Sequence, residues 1–170
     1  MALVLTGSGV ITGLSSQLAD ANMPAGSVLQ VVSTTKTDTF STSSNGTFVD
    51  VTGLSVSITP TSATSKVLIF CTIPCSHGSS AVARFNLVRN STNICQPLSA
   101  SGLGSSKTAY YVNSDLGAAA DLHYLDSPST TSATTYKIQC CSNGATMYVG
   151  QRNSGDMDMP STITVMEIAA

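Results

Sequence analysis

Hydrophobic and polar residues alternate over short distances from residue 28 to the end of the chain, and breaks come often. Leu54-Ser55-Val56-Ser57-Ile58 alternates strictly, which predicts a strand with an apolar face on a core and a serine face in solvent. Pro60 ends it. Thr47 to Val51 is a shorter alternating stretch, and Val28 to Val32 is a valine-rich run. Val67-Leu68-Ile69-Phe70-Cys71 is continuously apolar, the pattern of a strand covered on both faces. Arg84 to Arg89 comes next, with Asn90-Ser91-Thr92-Asn93 as its turn. Ala109 to Val112 and Leu122 to Leu125 are shorter strand segments. Thr135 to Cys141 alternates, Ser142-Asn143-Gly144 has the chemistry of a hairpin turn, and Ala145 to Gln151 returns. Ser161 to Ile168 is the final strand. The helix-like stretch Leu116 to Asp121 is too short and too loosely patterned to count as an element. Many short strands with turn signals between them predict an all-β sandwich or barrel.

Residues 1–26 have a different pattern. Gly7, Gly9 and Gly13 interrupt an apolar segment, and Pro24 and Gly26 act as breakers near its end. Such a segment cannot fold alone. It reads as an extended attachment arm with Leu3, Val4, Leu5, Val10, Ile11 and Leu14 as anchors, ahead of a β-sandwich domain at 27–170. It carries no Lys or Arg, so it does not read as a secretory signal.

Composition narrows the class. Only 9 % of the 170 residues are charged, against about 25 % in an ordinary soluble domain. Ser, Thr, Asn and Gly stand in their place. Hydrophobic residues make up 42 %, enough for a packed core, which argues against disorder. Seven Lys and Arg residues, dispersed along the chain, give no basic patch for nucleic acid. No apolar run is long enough to span a membrane. A charge-poor surface suits a chain that buries much of it in permanent contacts between copies.

Candidate chemistry is sparse. The five cysteines are odd in number and match no disulfide framework; Cys71 and Cys75 on one strand stand too far apart to bridge. Buried, reduced thiols are the expectation. Cys71, Cys75 and His77 form C-x3-C-x-H, but the second pair a zinc site needs would be the vicinal Cys140 and Cys141, which point apart. With two histidines and no G-x-S-x-G, a catalytic triad is disfavoured. Asp115, Asp121, Asp126, Asp156 and Asp158 are the carboxylates available for a glycosidase pair, and they read as solvated loop residues. No catalytic residue, metal or cofactor is assigned. Tyr110 and Tyr111, beside a Ser/Gly-rich segment, are the candidates for surface recognition.

The segments MALVLTGSGVITGLSS, GSVLQVVSTTKTDTFSTSSNGTFVDVTGLSVSITPTSATSKVLIF, SPSTTSATTYKIQ and STITVMEIAA resemble small virion structural proteins of tailed phages from marine and cyanobacterial hosts. These are described as tail-fibre, tail-tip or capsid-decoration proteins. The order of strands also resembles the jelly-roll heads of the tumour-necrosis-factor and complement type. The resemblance implies an antiparallel jelly-roll sandwich, a homotrimer and a non-enzymatic role in the virion, assembled in the host cytoplasm. Its partners would be other virion proteins through the arm, and a host-surface glycan or protein. A capsid decoration or head-fibre protein without a receptor role, and a secreted lectin-like binding module, are the alternatives.

Overall fold

The structure is a computed structural model that describes residues 23–96, 108–112, 118–153, 155 and 157–170, with backbone alone at 108–112. The attachment-arm anchors Leu3 to Leu14 lie outside the described residues. The described elements are eleven strands. They are β1 (Val28–Lys36), β2 (Phe40–Thr42), β3 (Val49–Ile58), β4 (Lys66–His77), β5 (Ala81–Arg89), β6 (Thr92–Ile94), β7 (Thr108–Val112), β8 (Ala118–Asp126), β9 (Thr134–Cys141), β10 (Met147–Val149) and β11 (Ser161–Ile168).

These strands pair antiparallel in two sheets. In the first, β11 pairs with residues 66–72 of β4, and β10 with residues 75–77 of the same edge. Thus β10 and β11 are one lane interrupted by an excursion. Likewise β1 pairs with β11 and β2 with β10, so they share the outermost lane. With β8 on the far side of β4, the first sheet has lanes in the order β1/β2, β11/β10, β4, β8. In the second, β6 and β7 share the lane beside β5, giving β3, β9, β5, β6/β7. Eight lanes connected in this way form a jelly roll, in which successive lanes switch sheets along the chain except where β5 turns back into β6 and β7.

Alternating side chains from the two inner faces fill the core. Val67, Ile69, Cys71, Ile73, Ile163 and Val165 come from the first sheet, and Leu54, Phe85, Leu87, Tyr136 and Ile138 from the second. All are buried.

Several expectations need correction. The two segments at 47–51 and 54–58 are one strand, β3, whose register with β9 shifts between Asp50 and Ser55. The Ser142-Asn143-Gly144 turn does not close a hairpin: β9 pairs with β3 and β5, whereas β10 pairs with β2 and β4. The turn carries the chain from one sheet to the other. The alanines at 118–120, read as helix-like, open strand β8. The run at 67–71 is covered on one face only, since Phe70 is exposed and Leu68 half-buried.

Candidate functional site

Buried polar clusters sit at the two ends of the sandwich, and the outer faces of the sheets lie between them. At the first end, the alternation of β11 turns Ile163, Val165 and then Glu167 inward. Glu167 is fully buried. Gln30 Nε2 donates to its Oε2 (2.6 Å), and the Thr61 amide and hydroxyl donate to Oε1 (2.7 and 2.8 Å). Burial pushes the carboxyl pKa up, but hydrogen bonds led by that from Gln30 pull it further down, below its ordinary value. A cavity of about 260 Å³ lies nearby, lined by Met23, Leu29, Thr61, Ser62, Thr64 and Ala169 among others. It offers hydroxyl and methyl groups, and the one carboxylate that meets a lining hydroxyl, Glu167 on Thr61, is already held by Gln30 and the Thr61 amide.

At the same end Asp126 of β8 ties the sheets together. Arg89 Nη1 donates to both of its carboxylate oxygens (3.0 and 2.9 Å), and the Tyr136 hydroxyl donates to Oδ2 (2.8 Å). Burial, then the neighbouring carboxylate, raises the Tyr136 pKa well above its ordinary value, so it remains a donor. Asp126 is buried, a correction to its reading as a solvated loop residue. Sequence reasoning also passed over Glu167. The two carboxylates share no partner, and each is occupied by its own donors. Glu167, held below its ordinary pKa, does not suit the protonated acid of a glycosidase pair.

At the opposite end, His77 of β4 is fully buried. Its Nδ1 lies 3.0 Å from Ser79 O and its Nε2 2.9 Å from Ser142 Oγ. Ser142, itself buried, donates to the Ala145 carbonyl. Burial lowers the His77 pKa, opposed by the contact with Ser79. A Ser-His pair of this kind could suggest a nucleophile and base. Here the serine proton goes to a carbonyl, so Nε2–H of the neutral ring donates to Oγ while Nδ1 accepts from the Ser79 amide (3.3 Å), and the ring faces the serine as a donor rather than a base. The group pins the crossing between sheets at residues 142–146 to the end of β4.

The cysteines obey the same logic. Cys71, Cys75, Cys140 and Cys141 are buried, and all five are free thiols. Burial pushes the Cys75 and Cys140 thiols up to about 12, which keeps them protonated and unreactive. Among the described residues no three His, Cys, Asp or Glu side chains gather in a way that could hold a metal ion, so Cys71, Cys75 and His77 do not form a centre.

Tyr110 and Tyr111 lie on β7, opposite Ala83 and Val82 of β5. Their side chains fall outside the described residues, as do Asp115 and Asp156. Asp121 is exposed and accepts from Thr72 Oγ1 (2.8 Å).

The outer faces differ in chemistry. On the second sheet, Ser57 pairs with Thr135 (2.7 Å between hydroxyls), and Lys137 and Gln139 both reach Asp50 (2.7 Å each). On the first sheet, the register lines up Val31, Met166, Leu68 and Leu125 in a single row across four lanes. Val31 and Leu125 are 54 % and 53 % exposed. The next row is Ser33, Thr164, Phe70 and His123.

No family model matches the chain, and no curated protein does. Among solved structures, the chain is similar to the infectious bursal disease virus Gx strain (14 % identity, TM-score 0.44) and Gt strain (13 %, 0.44). It is also similar to the VP2 subviral particle of that virus (14 %, 0.37). Each match covers 83 % of this chain but only 37 % or 38 % of the other. The chain thus spans little more than a third of the length of those proteins. Likeness at this level adds nothing to the topology read from strand pairing.

Proposed function

We propose that this chain is a structural protein of a virus particle: a jelly-roll head displayed on the surface, with residues 1–26 as its attachment segment. The observation that carries this reading is the eight-lane jelly roll, an architecture used by capsid and lectin domains, built from a chain with 9 % charged residues. Free, soluble domains rely on surface charge to stay apart. A surface of Ser, Thr and aliphatic residues is instead stable when neighbouring subunits cover much of it. The buried carboxylates and the Ser142–His77 pair serve the scaffold, which agrees with a non-enzymatic role. The sequence resemblance to phage virion proteins points the same way, and it suggests a closed trimer at a tail fibre or knob that touches the host surface.

The test is incorporation. Full-length chain and a variant lacking residues 1–26 are expressed during infection of a host whose virus encodes the protein, and purified particles are labelled with an antibody to the head. The full-length chain should label particles and the truncated one should not. Absence of label with both would overturn the virion reading, and equal labelling would overturn the role of the arm.

A further inference from the structure

We infer that the outer face of the β1–β11–β4–β8 sheet is the surface by which one copy of this chain binds a second copy. The inference rests on the structural-protein reading above and adds the face involved.

Register is the first support. Antiparallel pairing sets Val31, Met166, Leu68 and Leu125 side by side, so the row is apolar from one edge lane to the other. Val28 and Ile168 pair beside one end of this row, and Phe70 stands in the next. Val28, Val31, Phe70 and Leu125 are each 45 % exposed or more. The sequence of β4 is that of a strand covered on both sides, yet its outward residues Lys66, Leu68, Phe70 and Thr72 are half-buried or exposed, and only Pro74 and Ser76 at its far end are covered.

Charge is the second. Among described residues facing outward from these four lanes, the charged ones are Lys66 and Asp121. They are opposite in sign and stand in different rows, with the apolar row and the Phe70 row between them. A second copy of the same face therefore meets no accumulated like charge. A partner recognised by charge would find little here, whereas the second sheet carries its own Asp50–Lys137 ion pair.

Size is the third. Four lanes about 4.8 Å apart and strands of nine residues give a face of about 19 by 30 Å before side-chain relief. In plan that is about 570 Å², roughly 70 % of the ~800 Å² per partner of a standard interface, and side-chain relief adds to it.

The test is light scattering on the full-length chain and on a double variant, Val31→Lys with Leu125→Lys. Both positions are more than half exposed, so the lysines remain solvated in the single chain. The wild type should have a mass that is a multiple of 17.4 kDa, and the variant should fall to 17.4 kDa. Its circular dichroism and cooperative melt should stay those of a folded sandwich. Thr52→Lys with Ser55→Lys, on the other sheet, should leave the oligomer intact. A monomeric wild type, or a double variant that keeps the wild-type mass, overturns the inference. So does oxidative footprinting in which Phe70 and Met166 of the monomeric and the concentrated protein are protected equally, since their cover would then come from within one chain. Any of these results with the chain still present in purified particles leaves the virion reading standing. A Val31/Leu125-dependent oligomer that never enters particles does the reverse.

Discussion

Glu167 and His77 make the folded state sensitive to acid in two separate ranges. The folded pKa of His77 lies below its ordinary 6.5, so the unfolded chain binds the proton more readily. The stability tied to a neutral His77 is complete above pH 6.5 and declines as the pH falls from there. Glu167 also titrates below its ordinary value, 4.5. Its contribution is complete above that pH and is lost as the pH falls through the lower folded value. Urea unfolding across pH should therefore show a first decline starting near pH 6.5, absent in His77→Asn, and a further decline below pH 4.5 that His77→Asn retains. At pH 7, Glu167→Ala should cost about 2–4 kcal/mol, because Gln30 and Thr61 lose the acceptor for three hydrogen bonds. A change under about 1 kcal/mol in the urea midpoint analysis would contradict that role. The inward position of Glu167 was legible, since it continues the strict alternation of Ile163 and Val165. Its partners were not, because Thr61 and Gln30 are 106 and 137 positions away.

Strands were legible where a single face decides burial. β9 and β11 match their alternation almost residue for residue, and the short loop Asn90-Ser91 lets β5 turn back into β6, with Asn90 at φ 54°. Lanes were not legible, because pairing partners are distant in sequence. The Asn143-Gly144 signal is a genuine turn, but which strand receives the returning chain depends on packing across the whole sandwich. The break between β10 and β11 hinges on Gly150, at φ +76°, where a Cβ would lie 3.1 Å from the Met159 carbonyl and 3.4 Å from that of Asp38. Its amide donates to Pro74 O and its carbonyl accepts from Met159 N, both at 2.8 Å. Gly150→Ala should destabilise by about 2 kcal/mol, from backbone strain and the clash together, read as a lowered melting temperature. The tie between sheets at Asp126 has its own ranking. Arg89→Ala, which strips a buried carboxylate of its cation, should cost about 3 kcal/mol. Tyr136→Phe, which removes one hydrogen bond, should cost about 1 kcal/mol in the same denaturation assay. The reverse order would mean that the ion pair is not what holds β8 to the second sheet.

At the scale of the whole molecule, the two sheets share one core but present different surfaces. The second sheet faces outward with hydroxyls, Lys137, Gln139 and Asp50, as an exposed sheet does. Among the described residues of its lanes, the first presents an apolar row and two charges of opposite sign, Lys66 and Asp121. Fold class was legible because strand periodicity and turn chemistry recur along the chain. The proposed function is a class rather than a role, because the informative feature is a lack of charge along the whole sequence rather than a motif at one site. The central claim is that the chain is a building block of a particle. Quantitative peptide mass spectrometry of gradient-purified virus particles tests this most directly. Peptides of this chain should appear at a fixed, repeated copy number relative to the other particle proteins. Their absence from particles, with the chain abundant in the soluble fraction of the same infected cells, would contradict the claim.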